Sequence, residues 1–365
     1  MTDNPKAASP DQPNIFRTLD IDTRLLGMIG AFAVICLLFH LLTDGQFLTP
    51  RNLFNLTVQT VSVAIMATGM VFVIVTRHID LSVGSVLATC SAVMAMTQTV
   101  WLPETLGLGL GHPLIPWITL LAGVVVGASI GGFQGYLIGY LGIPAFIVTL
   151  GGLLVWRNVA WYITNGQTVG PLDPVFQAFG GISGTLGQNG SWVLAAVATA
   201  AALAATWSAR RNKITHDHPV KPLWAEWALG GVIAAGIFGF TALLNAYAIP
   251  PRVLQRQFEQ RGETLPEDYS AGYGLPISVL LLIAVAVVMT IVAKRTRLGR
   301  YIFAMGGNPD ATELSGINTR ALTVKVFAFM GFLCALSAVV ASARLSFHSN
   351  DIGTLDELRV IAAAV

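Results

Sequence analysis

One recurrence constrains this chain more than any other feature: nearly charge-free apolar runs, each about 20 residues long, return nine times between turn-forming segments. A transmembrane helix needs roughly 20 such residues to cross the hydrocarbon layer. A backbone with no water to bond must satisfy its own polar groups, and a helix does so within one segment. The runs fall at 25–43, 53–75, 81–100, 115–139, 145–163, 191–207, 224–248, 275–293 and 322–342, and a tenth apolar segment begins near 355. The expected fold class is therefore all-α, a polytopic integral membrane helix bundle of about nine complete spans plus the start of a tenth segment. Charged residues make up 11% of the chain, against about 25% in ordinary soluble domains. That excludes a soluble enzyme, a disordered tail and a nucleic-acid binder.

Residues 1–24 are polar, with Pro5, Pro10 and Pro13 among mixed charges, and read as a disordered cytoplasmic leader ahead of a single transmembrane domain, 25–365. Leu25–Leu42 lacks the short core and small-residue cleavage site of a secretory signal, so it reads as an uncleaved first helix. Lys and Arg in short loops set the orientation. With the N-terminus cytoplasmic, the inner segments hold Arg77, then Arg210, Arg211, Lys213 and Lys221, then Lys294, Arg295, Arg297, Arg300 and Arg320. The outer loops at 44–52, 101–114 and 164–190 hold only Arg51. Segment 249–274 is an exception, with Arg252, Arg256 and Arg261 offset by four acidic residues.

None of the five lysines follows a glycine, so the phosphate-cradling G-x-x-x-x-G-K-[ST] loop cannot be present. Arg157 is the ionisable residue deep in a span; Glu226 lies at a helix start and Asp80 at a turn. Ion-coupled carriers place titratable groups inside the membrane, and this supply is meagre, so energy for pumping must come from a partner. Cys36, Cys90 and Cys334 lie in apolar runs and fit small packing residues. His216-Asp217-His218 is the one close histidine set, in a solvated loop. Neither a metal nor a cofactor is expected.

Four motifs stand out. Thr76–Ser85 joins the second and third spans with almost no loop. There Asp80 is placed to cap the third helix, and Ser82, Gly84 and Ser85 permit close packing or a helix break, as a plain tight turn or as a lining of the translocation path. Gly123, Gly127, Gly131, Gly135 and Gly139 recur every four residues along one helix, a groove that lets another backbone approach. Arg157, late in the fifth span, either snorkels or anchors the external face near Tyr162, Thr164, Asn165 and Gly166. Finally, Gly306-Gly307 ends a helix, Asn308-Pro309 starts another in cap and first-turn positions, Asp310 and Glu313 follow, and Gly316 closes it. A helix of about seven residues is marginal alone, so its signalling points to a docking element.

Ile79-Asp80-Leu81-Ser82-Val83-Gly84-Ser85, Thr164-Asn165-Gly166 after a late Arg, and Leu298-Gly299-Arg300 through Asn308 to Leu314-Ser315-Gly316-Ile317-Asn318 resemble the permease subunits of bacterial carbohydrate ABC importers. The likeness runs from about Asn52 to Ala364 and is nearest the xylose-type subgroup, which carries an extra hairpin like the one at 191–248. The resemblance implies a homodimer in the inner membrane, a cytoplasmic ABC ATPase and a periplasmic sugar-binding protein. It also implies import of a monosaccharide such as a pentose, with no catalysis in this subunit. It makes 294–321 a coupling loop whose contacts with the ATPase involve Gly299, Arg300, Gly306, Gly307, Asn308, Pro309, Asp310, Ala311, Glu313, Ser315 and Gly316. The family pattern continues past Ala364 into further spans, and Arg359 stands where relatives usually have an acidic residue. The alternative is a secondary transporter or facilitator for a small polar solute, which intramembrane carboxylates would have favoured.

Overall fold

The structure, a computed structural model, describes residues 23–182, 184–220, 222–260, 266 and 269–365. The leader up to residue 22, and Lys221 and Arg261 of the charge count, lie outside the described residues. Every regular element among the described residues is helical, with isolated bridge pairs in place of strands. In chain order these are α1 (Thr23–Leu42), α2 (Pro50–Val75), α3 (Val83–Leu106), α4 (Ile115–Gly139), α5 (Ala145–Ile163), α6 (Pro174–Gln177), α7 (Gly187–Thr215) and α8 (Leu223–Asn245). There follow α9 (Pro251–Gln260), α10 (Ile277–Arg295), α11 (Arg297–Gly307), α12 (Pro309–Leu314), α13 (Thr319–Leu345) and α14 (Asp356–Ala364). Eight of them, α2 to α5, α7, α8, α10 and α13, are long and apolar enough to cross a membrane, and α1 adds the shorter apolar stretch Leu26–Leu42. The protein is an all-α multi-pass membrane helix bundle.

Two helices run beyond their expected ends. The third continues to Leu106 instead of stopping at 100, through a π-turn at Thr97–Trp101. There Thr97, Gln98 and Thr99 donate back to the carbonyls of Val93, Met94 and Ala95. Pro103 falls in the first turn of the next helical stretch, where a missing N–H is tolerated. The seventh helix extends to Thr215, past Arg210 and Arg211. Arginine ends an apolar run but propagates a helix well, and Arg210 meets Glu226 of α8 at 2.8 Å.

The chain packs as two compact units. One comprises residues through Phe54 with Gly187–Gly274. In it α7 and α8 form an antiparallel hairpin, Trp192 stacking on Phe238 at 6.0 Å. Phe54, Tyr247 and Tyr273 form a ring cluster with centroids 4.8 to 5.9 Å apart.

The other unit, Asn55–Leu186 with Leu275–Val365, is centred on α3 and α13. Their apolar windows are 83% and 78% buried, against 17% for α5, so α3 and α13 form the core and α5 the periphery. The glycine ladder of α4 lies against α13, antiparallel. A Cβ added to Gly127 would overlap the Gly331 carbonyl, and one on Gly131 the Phe327 carbonyl. At Gly135 it would meet the Val324 Cα at 2.7 Å, and at Gly139 the Arg320 carbonyl oxygen at 2.6 Å. Gly123 instead faces the Met94 side chain of α3. Gly331 answers from α13, since a Cβ there would overlap the Gly127 carbonyl.

Candidate functional site

Four small features of the second unit carry most of its notable polar groups. The first is the entry to α3. Arg77 holds a left-handed φ of 65° and donates to the carbonyls of Gly306 and Gly307 at 3.0 and 2.8 Å. Asp80 is 3% exposed. Its Oδ1 accepts from the Ser82 N–H at 2.8 Å and the Ser82 hydroxyl at 2.6 Å. It does not cap the next helical turn as expected. Ser82 occupies the cap position, with no side-chain cap bond, and Asp80 closes a local Asx turn before it. Burial pushes the Asp80 carboxyl above the usual carboxylate range, and the Ser82 bonds oppose that shift.

Ser82 Oγ also lies 3.0 Å from Gln134 Oε1, while Gln134 Nε2 is buried without a partner. One hydroxyl proton cannot serve both Asp80 and Gln134. Turning the Gln134 amide over settles both, because Nε2 then donates to Ser82 while Ser82 donates to Asp80. Gly84 sits beside this node. A Cβ there would overlap the Gly353 carbonyl and meet Glu357 Oε2 at 2.8 Å. Ser85 is fully buried alongside.

The second feature corrects the snorkelling reading of Arg157. Its guanidinium donates to the carbonyls of Asn350 and Ile352 at 2.9 and 2.6 Å. It therefore turns towards a non-helical segment, 346–355, within its own unit. Asn165 and Gly166 form a left-handed turn after α5, at φ 50° and 70°, and Thr164 Oγ1 lies 3.5 Å from Asn350 Oδ1. The segment is tied elsewhere too. His348 and Val169 exchange backbone hydrogen bonds at 2.9 and 3.0 Å, and His348 Nδ1 is 2.9 Å from Ser91 Oγ. Irregular backbone among membrane helices is tolerated only where the protein satisfies it, and Arg157 supplies that.

Beside the segment opens the third feature, a polar cavity of about 260 Å³. Its wall carries Gln59 and Ser62 from α2, Arg344 from α13, Asp351 from the segment, and Asp356 and Arg359 from α14. Arg359 Nη1 bonds Asp356 Oδ1 at 3.0 Å. None of these was legible as a site residue in the sequence, Arg359 having stood out only as a departure from the family pattern, because nearly 300 positions separate Gln59 from Arg344, Asp351, Asp356 and Arg359.

The fourth feature is a series of short helices at one end of this unit. Thr296 caps α11 by accepting from Gly299 N–H at 3.2 Å. Asn308 caps α12 from Ala311 at 3.1 Å, and Asn318 caps α13 from Ala321 at 2.9 Å. Gly299 must lack a Cβ, which would overlap the Val292 and Ala293 carbonyls, and Gly306 packs against the Val75 carbonyl. Thr312 turns inward, its hydroxyl donating to the Asn308 carbonyl at 2.8 Å. Asp310, Ala311, Glu313 and Ser315 are exposed, and Leu314 is 90% exposed. Gly316 closes the turn at φ 86°. Arg300 and Gly307 are exposed nearby. The result is a short capped helix that exposes two carboxylates, Asp310 and Glu313, and an apolar residue, Leu314.

Residues 52–365 match the family described as branched-chain amino acid transport system, permease component. The chain belongs to this family. As a permease component it conducts a solute and is not itself an enzyme. The permease is 31% identical over 351 residues to the xylose transport system permease protein XylH of Haemophilus influenzae, spanning 96% of this chain and 84% of that relative. XylH of Escherichia coli K12 is 32% identical over 363 residues, spanning 99% of the permease and 82% of the relative. The ribose import permease protein RbsC of the same organism is 29% identical over 320 residues, 88% of this chain and 70% of its own length. No solved structure matches the permease.

Proposed function

We propose that this permease is the membrane subunit of an ATP-driven importer that brings a pentose, xylose first, across the bacterial inner membrane. The carrying observation is the likeness to proteins named xylose transport permeases over 96% and 99% of the chain. Alignments of that length take in the α7–α8 hairpin. A second copy of the permease, a cytoplasmic ABC ATPase and a periplasmic sugar-binding protein complete the assembly. The chain has no phosphate-cradling lysine loop, so the ATPase supplies the energy, and α12 is the element that would dock on it. Substrate passage is then alternating access. The loaded binding protein delivers sugar at one face, and closure of the ATPase moves the short helices and, through them, the bundle.

The test is uptake of radiolabelled xylose in a host stripped of its own pentose importers, with all subunits expressed. Saturable xylose uptake that disappears when the ATPase nucleotide site is inactivated is the expected result. Uptake that survives that inactivation, or a preference for leucine over xylose, would sink the proposal.

Loop charges further place 208–222 and 294–321 on the cytoplasmic side. Single cysteines introduced there are expected to resist a membrane-impermeant maleimide in intact cells and to react once cells are permeabilised. Labelling of both segments in intact cells would reverse the topology.

A further inference from the structure

We propose that the polar cavity formed by α2, α13, α14 and segment 346–355 is a monosaccharide transit subsite, a resting place for sugar inside the permease itself. This rests on the sugar-import proposal and adds to it the place where the sugar sits.

The chemistry of the wall points to a polyol. A sugar hydroxyl both donates and accepts, so a matching site must offer both kinds of partner at close spacing. Arg344, Arg359 and the Gln59 amide donate; Asp351, Asp356 and the Ser62 hydroxyl accept. Each sign of charge is present twice, which suits a neutral solute and disfavours an ion of either sign. Of the four charges Asp356 is buried, while Arg344, Asp351 and Arg359 are exposed, so the wall offers charged partners that an entering solute can reach.

The size is compatible as well. Ligand pockets usually run from ~300 to 1,000 Å³, and this cavity, at about 260 Å³, has room for a single sugar ring. Among the described residues no aromatic ring lines it, so they offer no stacking face of the kind that tight sugar sites use. Weak holding fits a subsite that must release its occupant.

The cavity is also preformed on one side. Arg157 clamps the Asn350 and Ile352 carbonyls, His348 is paired with Val169 and Ser91, and Gly353 packs without room for a Cβ against the Gly84 carbonyl. Asp351 is thus presented from a fixed backbone. Arg157 is a positioning residue, which accounts for a half-buried arginine within a span.

The experiment uses the whole transporter with Cys36, the half-buried thiol, replaced by serine; Cys90 and Cys334 are buried. Gln59, exposed to the cavity, is changed to cysteine (Gln59→Cys) and modified after assembly with methyl and then bulkier methanethiosulfonates. We expect the methyl adduct to preserve uptake, the bulky adduct to remove most of it, reduction to restore it, and millimolar xylose to slow the labelling. A bulky adduct, confirmed by mass spectrometry, that leaves uptake intact would overturn the subsite. Asp351→Asn gives a second arm, with uptake expected to fall while stimulation of the ATPase by the loaded binding protein persists. Loss of both together would assign Asp351 to assembly and not to the sugar path. If the unmodified protein imports another monosaccharide but not xylose, the pentose assignment fails while the adduct result on that sugar still decides the cavity. If it imports none, sugar import and the subsite fall together.

Discussion

Glu313→Pro is expected to abolish sugar uptake while the permease remains in the membrane at normal abundance. Residue 313 lies inside the six-residue helix α12. Proline there removes an N–H and pushes its ring into the preceding turn, at a cost of roughly 3 kcal/mol. A helix of this length has no reserve to absorb that. Gly316→Pro should act in the same way for a different reason. Gly316 sits at φ 86°, and proline is fixed near −65°. Both positions are exposed and outside every long apolar helix, so insertion and docking of the binding protein should survive. The measurement is uptake, together with ATPase stimulation by the loaded binding protein, in proteoliposomes containing all subunits. Normal uptake by a well-inserted Glu313→Pro permease would remove α12 from the coupling pathway.

Gly131→Leu is the second large effect, and it is expected in stability. Overfilling a packed core generally costs about 1–3 kcal/mol, because neighbours must leave their rotamers. Here the obstacle is the Phe327 carbonyl, which belongs to a helix and cannot swing aside. Gly127→Leu should behave alike against Gly331. The control is Gly151→Leu on α5, where an added Cβ meets nothing within 4 Å. Thermal unfolding of the detergent-purified permease should fall by several degrees for the first two and stay near wild type for the control. Equal stability in all three would mean that α4 and α13 do not rely on backbone contact.

The parts that were legible in the sequence are those set by local pattern. The ends of α4 and α5 fall at 115–139 and 145–163 because Pro116, Gly142 and Pro144 punctuate apolar runs there. The Asn308 cap needs only a side-chain oxygen and the Ala311 N–H, so it is written within four residues; Thr296 and Asn318 cap α11 and α13 in the same way but were not singled out in the sequence. Other features were hidden because their partners are distant. Arg157 could not disclose its acceptors, which are backbone carbonyls 193 and 195 positions away; a carbonyl carries no sequence signature. Asp80 stood in the right turn, but its bond to Ser82, not to the next turn, depends on how α3 starts. The π-turn of α3 has no compositional mark beyond Thr97, Gln98 and Thr99, three side chains able to serve carbonyls loosened by the wider turn.

The glycine ladder also has a mechanical consequence. Rungs recur every four residues, which is roughly 6 Å along a helix axis. A slide of α4 along α13 by less than one rung would drive side-chain-bearing positions into carbonyl oxygens. Relative travel between these two helices is therefore quantised, a full notch or nothing. A force delivered at Asn318, the residue before α13 and four past the end of α12, would displace the pair as a single plank. Whatever flexes during transport must do so at the plank's edges, where side chain meets side chain and smaller steps are allowed.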